Sequence, residues 1–592
     1  MNDTLKHVNN IRNWLQEKTL DALIIPHADE YLSEYLPPEN ERLKWATGFS
    51  GSAGLAVITD TKGAIFVDGR YTIQLKEQVN SSIYELLHIK ESPWTKWIEQ
   101  NLHSNAKIGY DPRLHQANWE ENTKKLFKGD ITLLPIDENP IDVFWENRPQ
   151  PNEDKALLLD EIYTGKSSIE KRRSMAKEIS KNKCDAAFIT QLDSIAWLLN
   201  IRGNDVPCNP LLLCHGLLYA DGTFELYINK DKIPKNFYNH VGRDVSVISP
   251  NSLTEKITKL SGKIIQLDLA SSNGWSKRLL TDSEVIVIDK KDPCTLAKAC
   301  KNDVEIKGMK ECHIRDAIAE CTFLSWFDEE IIKGNLHNEG TLADKLDSLR
   351  SEQNNFKGLS FNTISAAGKN AAMCHYNHKN YEVPATLEMN TVYLVDSGGQ
   401  YIDGTTDITR TVAVGHPSDM MKQTFTLVLK GHIALSCAQF PEGIAGQHLD
   451  TLARQYLWQH GYDFDHGTGH GVGSYLNVHE GPHGIAKGYN NIPLREGMVV
   501  SNEPGYYREN EFGIRIENLI YVKIIKEIDG IKLLGFDNLT FVPIDKRLMD
   551  LSMLTKLEKN WINNYHKEVL KKIGIYLEGS ALGWLKNASK PI

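Results

Sequence analysis

Long apolar runs are missing from this chain. No stretch approaches 18 uninterrupted apolar residues, so no membrane-spanning helix is expected. The opening segment, MNDTLKHVNNIRNWLQEK, alternates polar and charged side chains and lacks the apolar core of a secretory leader. Cysteine is scarce: nine in 592 residues, the first at Cys184, with no C-x-x-C pair. An odd, irregularly spaced set excludes a disulfide framework, so reduced thiols in a cytoplasmic protein are expected. Runs of Lys or Arg are also absent. The 67 basic and 77 acidic side chains sum to −10, which offers no footprint for nucleic acid. The remaining composition, 41% hydrophobic and 24% charged, is ordinary for a globular protein. At about 150 residues per domain, the length predicts three or four domains.

Two segments share a plan. Residues 8–25 read as an amphipathic helix entering the apolar run Leu20-Asp-Ala-Leu-Ile-Ile25. Residues 169–189 repeat this, ending in Cys184-Asp-Ala-Ala-Phe-Ile189. Each is followed by a Trp and a Gly (Trp45 and Gly48, Trp197 and Gly203) and then by short strand-like runs. Helices alternating with short strands predict two related α/β units. Between them, 137–154 carries Pro140, Pro149 and Pro151 and reads as a linker. A second boundary falls near 288–303. A long helix over 304–333 then leads into a mixed α/β region, and 546–592 reads as a helix, 556–573, with a tail.

The chemistry concentrates in the last third. Asp396 ends the run Val392-Tyr-Leu-Val, and Asp407 opens the run Ile408–Val414. Asp403-Gly404 is the better turn between these two β-rich runs. Two carboxylates on neighbouring strands repel unless a cation lies between them. Next comes His466-Gly-Thr-Gly-His470-Gly-Val-Gly473, with His479 shortly after. Its glycines oppose a helix, no Glu follows His466, and the alternation is not G-x-G-x-x-G. This segment therefore reads as backbone passing close to a ligand. Glu503 follows a short apolar strand, and Arg515 and Glu517 share one face of another. Four carboxylates and one imidazole favour hard divalent ions, manganese before zinc, and four negative charges call for two cations.

In order, D-x10-D, H-G-T-G-H-G-V-G, E-P-G-Y-Y and G-I-R-I-E-N resemble the dinuclear metallopeptidases of the creatinase/methionine-aminopeptidase superfamily. Within it, the chain is most similar to the long three-domain aminopeptidase P type over nearly its full length, including Asp68-Gly-Arg-Tyr71 and Leu199-Asn-Ile-Arg-Gly203. The resemblance implies an α/β (α+β) fold. Two creatinase-type domains (1–145 and 146–303) precede a pita-bread catalytic domain (304–592) with a helical extension from about 546. It implies metal ligands at Asp396, Asp407, His470, Glu503 and Glu517, holding two divalent cations bridged by a hydroxide. Mn2+ is the first choice, with Co2+ or Zn2+ as alternatives. Catalytic histidines fall on His375 (with His378 as its alternative), His466 and His479. The latter two would donate hydrogen bonds to substrate, and Glu503 would shuttle a proton. Tyr507 and Arg515 take supporting positions. Arg70 and Arg202 either reach an active site or make salt bridges, the latter preferred. The implied substrates are peptides with proline at the second position, the implied assembly a cytoplasmic homodimer without nucleic acid or membrane. A prolidase of the same fold and an inactive creatinase-like scaffold are the alternatives.

Overall fold

The computed structural model describes residues 2–592 and divides into two units. The first comprises Met1–Leu159 with Lys166–Cys294; the second comprises Asp160–Gly165 with Thr295–Ile592.

In the first unit, helix α1 (Asn2–Lys18) enters strand β1 (Ala22–Pro26), whose apolar residues are buried. The strands that follow are β2 (Leu55–Thr59), β3 (Gly63–Val67), β4 (Glu85–His88), β5 (Lys107–Tyr110) and β6 (Thr132–Pro135). They form one sheet in the order β4-β3-β2-β1-β5-β6. Helix α2 (Ser168–Lys181) begins on a capping box made by Ser167 and Glu170, and it buries Met175, Ala176 and Ile179. It leads to β7 (Ala186–Ile189), then β8 (His215–Tyr219), β9 (Phe224–Tyr227), β10 (Val245–Ile248), β11 (Ile264–Leu267) and β12 (Ile286–Asp289). Their order, β10-β9-β8-β7-β11-β12, repeats the first sheet strand for strand. In both sheets the first strand runs antiparallel to the second and parallel to the fifth. Such sheets bury both faces, which explains the continuous apolar runs of β1 and β7. Within the expected linker, Pro140 opens a short helix capped by the Asn139 side chain, and 148–156 carries no regular element.

The second unit opens with an outlying piece. Asp160 caps the short helix Glu161–Thr164, which stops at Gly165 with φ of 68°. The Thr164 carbonyl accepts a hydrogen bond of 2.9 Å from the Asn302 amide. Asn302 itself caps the long helix α3 (Asp303–Lys333) in a capping box with Glu305. Helix α4 (Glu339–Ser351) follows. Strands β13 (Ile364–Ala367), β14 (Thr391–Ser397) and β15 (Ile408–Val414) make an antiparallel sheet in chain order. Helices α5 (Asp419–Ser436) and α6 (Asp450–Trp458) flank strand β16 (Gln439–Pro441). A larger sheet contains β17 (Gly469–Gly471), β18 (Glu480–Ile485), β19 (Val499–Asn502), β22 (Asn518–Ile528) and β23 (Ile531–Asn538), ordered β16-β23-β22-β19-β17-β18. Strands β20 (Gly505–Arg508) and β21 (Phe512–Arg515) form a hairpin between β19 and β22.

Helix α7 (Lys556–Ile573) occupies the expected span, but the expected tail is a further helix, α8 (Gly579–Ala588). Leu585 is buried there, and the Trp584 indole donates to Asp328 of α3 at 2.7 Å. A sparse apolar pattern hid this helix; it is held by side chains distant in sequence.

His566 on α7 is fully buried and accepts the Ile544 amide hydrogen on Nε2 at 3.1 Å. Burial, helped by nearby Lys546 and Arg410, holds its pKa down to about 4, against about 6.5 in the unfolded chain. A neutral buried imidazole stabilises the fold fully above pH 6.5, and that contribution falls away as pH drops toward 4. The His566→Gln protein is therefore expected to lose about 2–3 kcal/mol less than the parent between pH 7.5 and 4.5, read from urea midpoints at each pH.

Candidate metal centre

The five expected ligands are brought to one place by strand ends. Asp396 lies near the end of β14, opposite Thr409, and Asp407 immediately precedes β15. Asn502 at the end of β19 pairs with Asn518 at the start of β22, so Glu503 and Glu517 leave the sheet side by side. His470 lies in β17, which pairs with β19 on the side away from β22. Ligand atoms of Asp407, His470 and Glu517 all fall within 4.8 Å of one another. The His470 Nε2 atom is 3.4 Å from Asp407 Oδ2 and 3.5 Å from Glu503 Oε1.

A Cβ on Gly469 would lie 2.0 Å from the Ser501 carbonyl oxygen, and one on Gly471 would lie 2.2 Å from that of Glu480. These two glycines permit a close approach to neighbouring strands. It lets β17 slot between β18 and β19 and present His470.

The chain fixes four of the five expected ligands from behind. His470 Nδ1 donates to the Gly471 carbonyl at 3.0 Å, leaving the neutral ring's Nε2 lone pair toward the carboxylates. The Ser501 hydroxyl donates to Glu503 Oε1 at 3.1 Å and accepts from the His470 amide at 2.9 Å. Arg515 donates to Asp396 Oδ2 at 2.5 Å, to the Tyr507 hydroxyl at 2.6 Å and to Thr409 Oγ1 at 3.1 Å. Thr409 in turn donates to Glu517 Oε2 at 2.8 Å. One guanidinium thereby orients two carboxylates.

A cation fits this donor set. Asp396 Oδ1 is buried and makes no hydrogen bond among the described residues, although its partner oxygen is held by Arg515. Burial, with Arg515 opposing and Asp407 reinforcing, lifts the Asp396 pKa to about 6. Burial and the charges of Asp407, Glu503 and Asp396 push Glu517 well above the carboxylate range. Burial lowers His470, but Asp407 and Glu503 outweigh it and raise the ring to about 9. Each shift registers a cluster short of positive charge, which divalent cations supply.

His466 sits beside the ligands with Nδ1 donating to Gly467 O at 2.7 Å. Its Nε2 accepts from the Tyr507 hydroxyl at 2.8 Å. Burial and Arg515 hold the ring well below its usual pKa, so it stays neutral. The His479 ring meets that of His470 edge-on, centroids 4.3 Å apart. The charge of His375 bears on His466. His378 is buried, and the charges that bear on it are those of Lys379, Asp344 and Asp347. Arg70 makes a 2.7 Å salt bridge to Asp68, and buried Arg202 donates to the Ala196 and Ile201 carbonyls.

The sequence reading missed the supports. Arg454 of α6, fully buried, donates to Asp450, Asp463, Phe464 O and His466 O, while Asp450 accepts from Thr468. This anchors the segment bearing His466 and His470. Arg410 of β15 holds the Glu517 carbonyl at 2.6 Å. A lone charge inside the apolar run Ile408–Val414 was the available signal.

Comparison with known proteins agrees with this geometry. Residues 307–523 match metallopeptidase family M24, 532–592 match the C-terminal region of peptidase M24, and 7–143 and 147–305 each match the creatinase/prolidase N-terminal domain. A probable Xaa-Pro aminopeptidase P of Paracoccidioides lutzii is 39% identical, the alignment covering 100% of this chain and 99% of the relative. The chain belongs to the Xaa-Pro aminopeptidase P family. A solved member, the X-prolyl aminopeptidase of Caenorhabditis elegans, described as a cytosolic enzyme with a di-nuclear active site, superposes with a TM-score of 0.94. It is 35% identical, with both chains covered completely. The X-Pro aminopeptidase of Thermotoga maritima, 26% identical, covers 63% of this chain with a TM-score of 0.50.

Proposed function

We propose that this chain is a metal-dependent aminopeptidase that hydrolyses the N-terminal X-Pro bond of peptides. The observation that carries the reading is the convergence of Asp396, Asp407, Glu503 and Glu517 on His470, with one Asp396 oxygen buried and unpartnered. The full-length likeness to Xaa-Pro aminopeptidases P supports the substrate class. A pair of divalent cations is supported by the C. elegans relative, and Mn2+ by the oxygen-rich donor set. The same relative supports a cytosolic location. The spans of the family matches support a division at about 145 and 303, and a homodimer is the assembly the sequence resemblance implies.

Asp396, Asp407, His470, Glu503 and Glu517 would hold the metals. Once bound, they would supply Lewis acidity toward the scissile carbonyl and lower the pKa of attacking water. Arg515 turns Asp396 Oδ1 and, through Thr409, Glu517 toward them. Glu503, hydrogen-bonded to Ser501, is the group placed to carry a proton to the departing proline nitrogen. Tyr507 links Arg515 to His466 through its hydroxyl and so would hold the imidazole in place.

His466→Ala should lower kcat about 10- to 100-fold while the metal content stays unchanged. Loss of metal in that protein would place His466 among the ligands instead. The reading as a whole is tested with Arg-Pro-Pro and an X-Pro dipeptide, assayed after metal removal and after Mn2+ is restored. Metal-dependent release of the first residue from the tripeptide is expected. Turnover confined to the dipeptide would make the chain a prolidase, and none on either would make it a scaffold.

A further inference from the structure

We infer that Glu339 is a positioning residue for the reaction, acting through His375; this rests on the reading of His375 as a group that touches substrate. Residues 368–384, which carry His375, form no strand. They run through two short 3₁₀ turns (Gly368–Ala372 and His378–Asn380) between β13 and β14. A segment without a ladder needs another way to be held. The carboxylate of Glu339, at the start of α4 and fully buried, supplies it.

Its Oε1 accepts from the Ala367 amide at 2.8 Å and the Asn370 side chain at 2.9 Å. Its Oε2 accepts from the Tyr376 hydroxyl at 2.7 Å and the Ala385 amide at 3.1 Å. One side chain thereby ties both ends and the middle of the segment, and Tyr376 is the immediate neighbour of His375. The Glu339 backbone joins in: its amide donates to the Ala385 carbonyl, and its carbonyl accepts from Ser365. The Tyr376 ring also stacks on Tyr381, centroids 5.5 Å apart. On its other side the segment presses on the β20–β21 hairpin, where a Cβ at Gly513 would lie 1.7 Å from the Ala371 carbonyl. That hairpin bears Tyr507 and Arg515, so the clamp aligns His375 with the rest of the site.

Four donors and no acceptor face this carboxylate. A carboxamide cannot replace it, because in either orientation its NH2 opposes a backbone N–H. Glu339→Gln should therefore lower kcat about 10-fold, with KM and metal content nearly unchanged, because small misplacements of a reacting group are costly. The deciding measurement is a double-mutant cycle with His375→Ala. In the His375→Ala background, Glu339→Gln should change kcat less than about two-fold. Multiplicative losses, or an unaltered kcat in Glu339→Gln, would overturn the inference and leave the role of His375 standing. An unimpaired His375→Ala enzyme would overturn both. Should Glu339→Gln fail to fold, Tyr376→Phe removes one bond and keeps the carboxylate. It should lower kcat about three-fold and lose that effect in the same background; unchanged turnover in Tyr376→Phe would equally overturn the inference.

Discussion

Asp407→Asn should yield a folded protein that retains little divalent metal and hydrolyses X-Pro peptides at least about 10³-fold more slowly, a barrier increase of about 4 kcal/mol. The substitution preserves shape and removes one charge where four carboxylates meet. It also presents an amide N–H toward His470 Nε2, now 3.4 Å from the Asp407 carboxylate. The fold should survive because like charges are being diluted in a buried cluster that already lacks counter-charge. Glu517→Gln should behave in the same way, its amide oxygen still accepting from Thr409. Elemental analysis, circular dichroism and a peptide assay on the same preparation check all three expectations. Normal turnover in a metal-verified Asp407→Asn protein would refute the ligand assignment.

Arg410→Met should be the most destabilising single change in the second unit outside the cluster, by at least about 4 kcal/mol. This guanidinium is 1% exposed and makes no ion pair among the described residues. It donates to the carbonyls of Thr409, Glu517, Val542 and Pro543, to Asn518 Oδ1 and to the Tyr565 hydroxyl. Methionine fills the volume but leaves those acceptors buried and unsatisfied, at roughly 1–3 kcal/mol each before relaxation. Tyr565 belongs to α7 and the Glu517 carbonyl to the metal cluster, so loss of metal affinity should accompany loss of stability. Denaturant midpoints and metal titration check this. A stable Arg410→Met protein with full metal content would show that the C-terminal helices and the cluster are independent.

The contrast between these two residues shows what the sequence makes legible. Asp396, Asp407, His470, Glu503 and Glu517 are visible because each breaks an apolar or glycine pattern at a strand end. The repeated α/β halves are visible because a helix followed by a buried strand leaves a local signature. Arg410, Arg454 and Glu339 are not visible in the same way. Most partners of Arg410 and Glu339 lie tens to more than a hundred residues away, and Arg454 reaches 4 to 12 residues along the chain, so the sequence shows each charge without showing what it bonds. The glycines around His470 were legible as a close approach but not as an approach to strands, since that depends on register. His375 is preferred over His378 by motif alone, and nothing local to either shows which charges will surround it once the turns are placed.

The excursion at residues 160–165 bears on how the protein comes into being. Six residues of the second unit are translated some 130 residues ahead of the remainder, within the stretch that builds the repeated sheets. A ribosome therefore makes the second half of the first unit while a splint for α3 waits unused. A fragment starting at residue 295 would hold every metal donor yet lack the carbonyl that Asn302 grips, leaving the longest helix frayed at its origin. Gene truncation at residue 295 should thus give a poorer protein than one that carries the splint along.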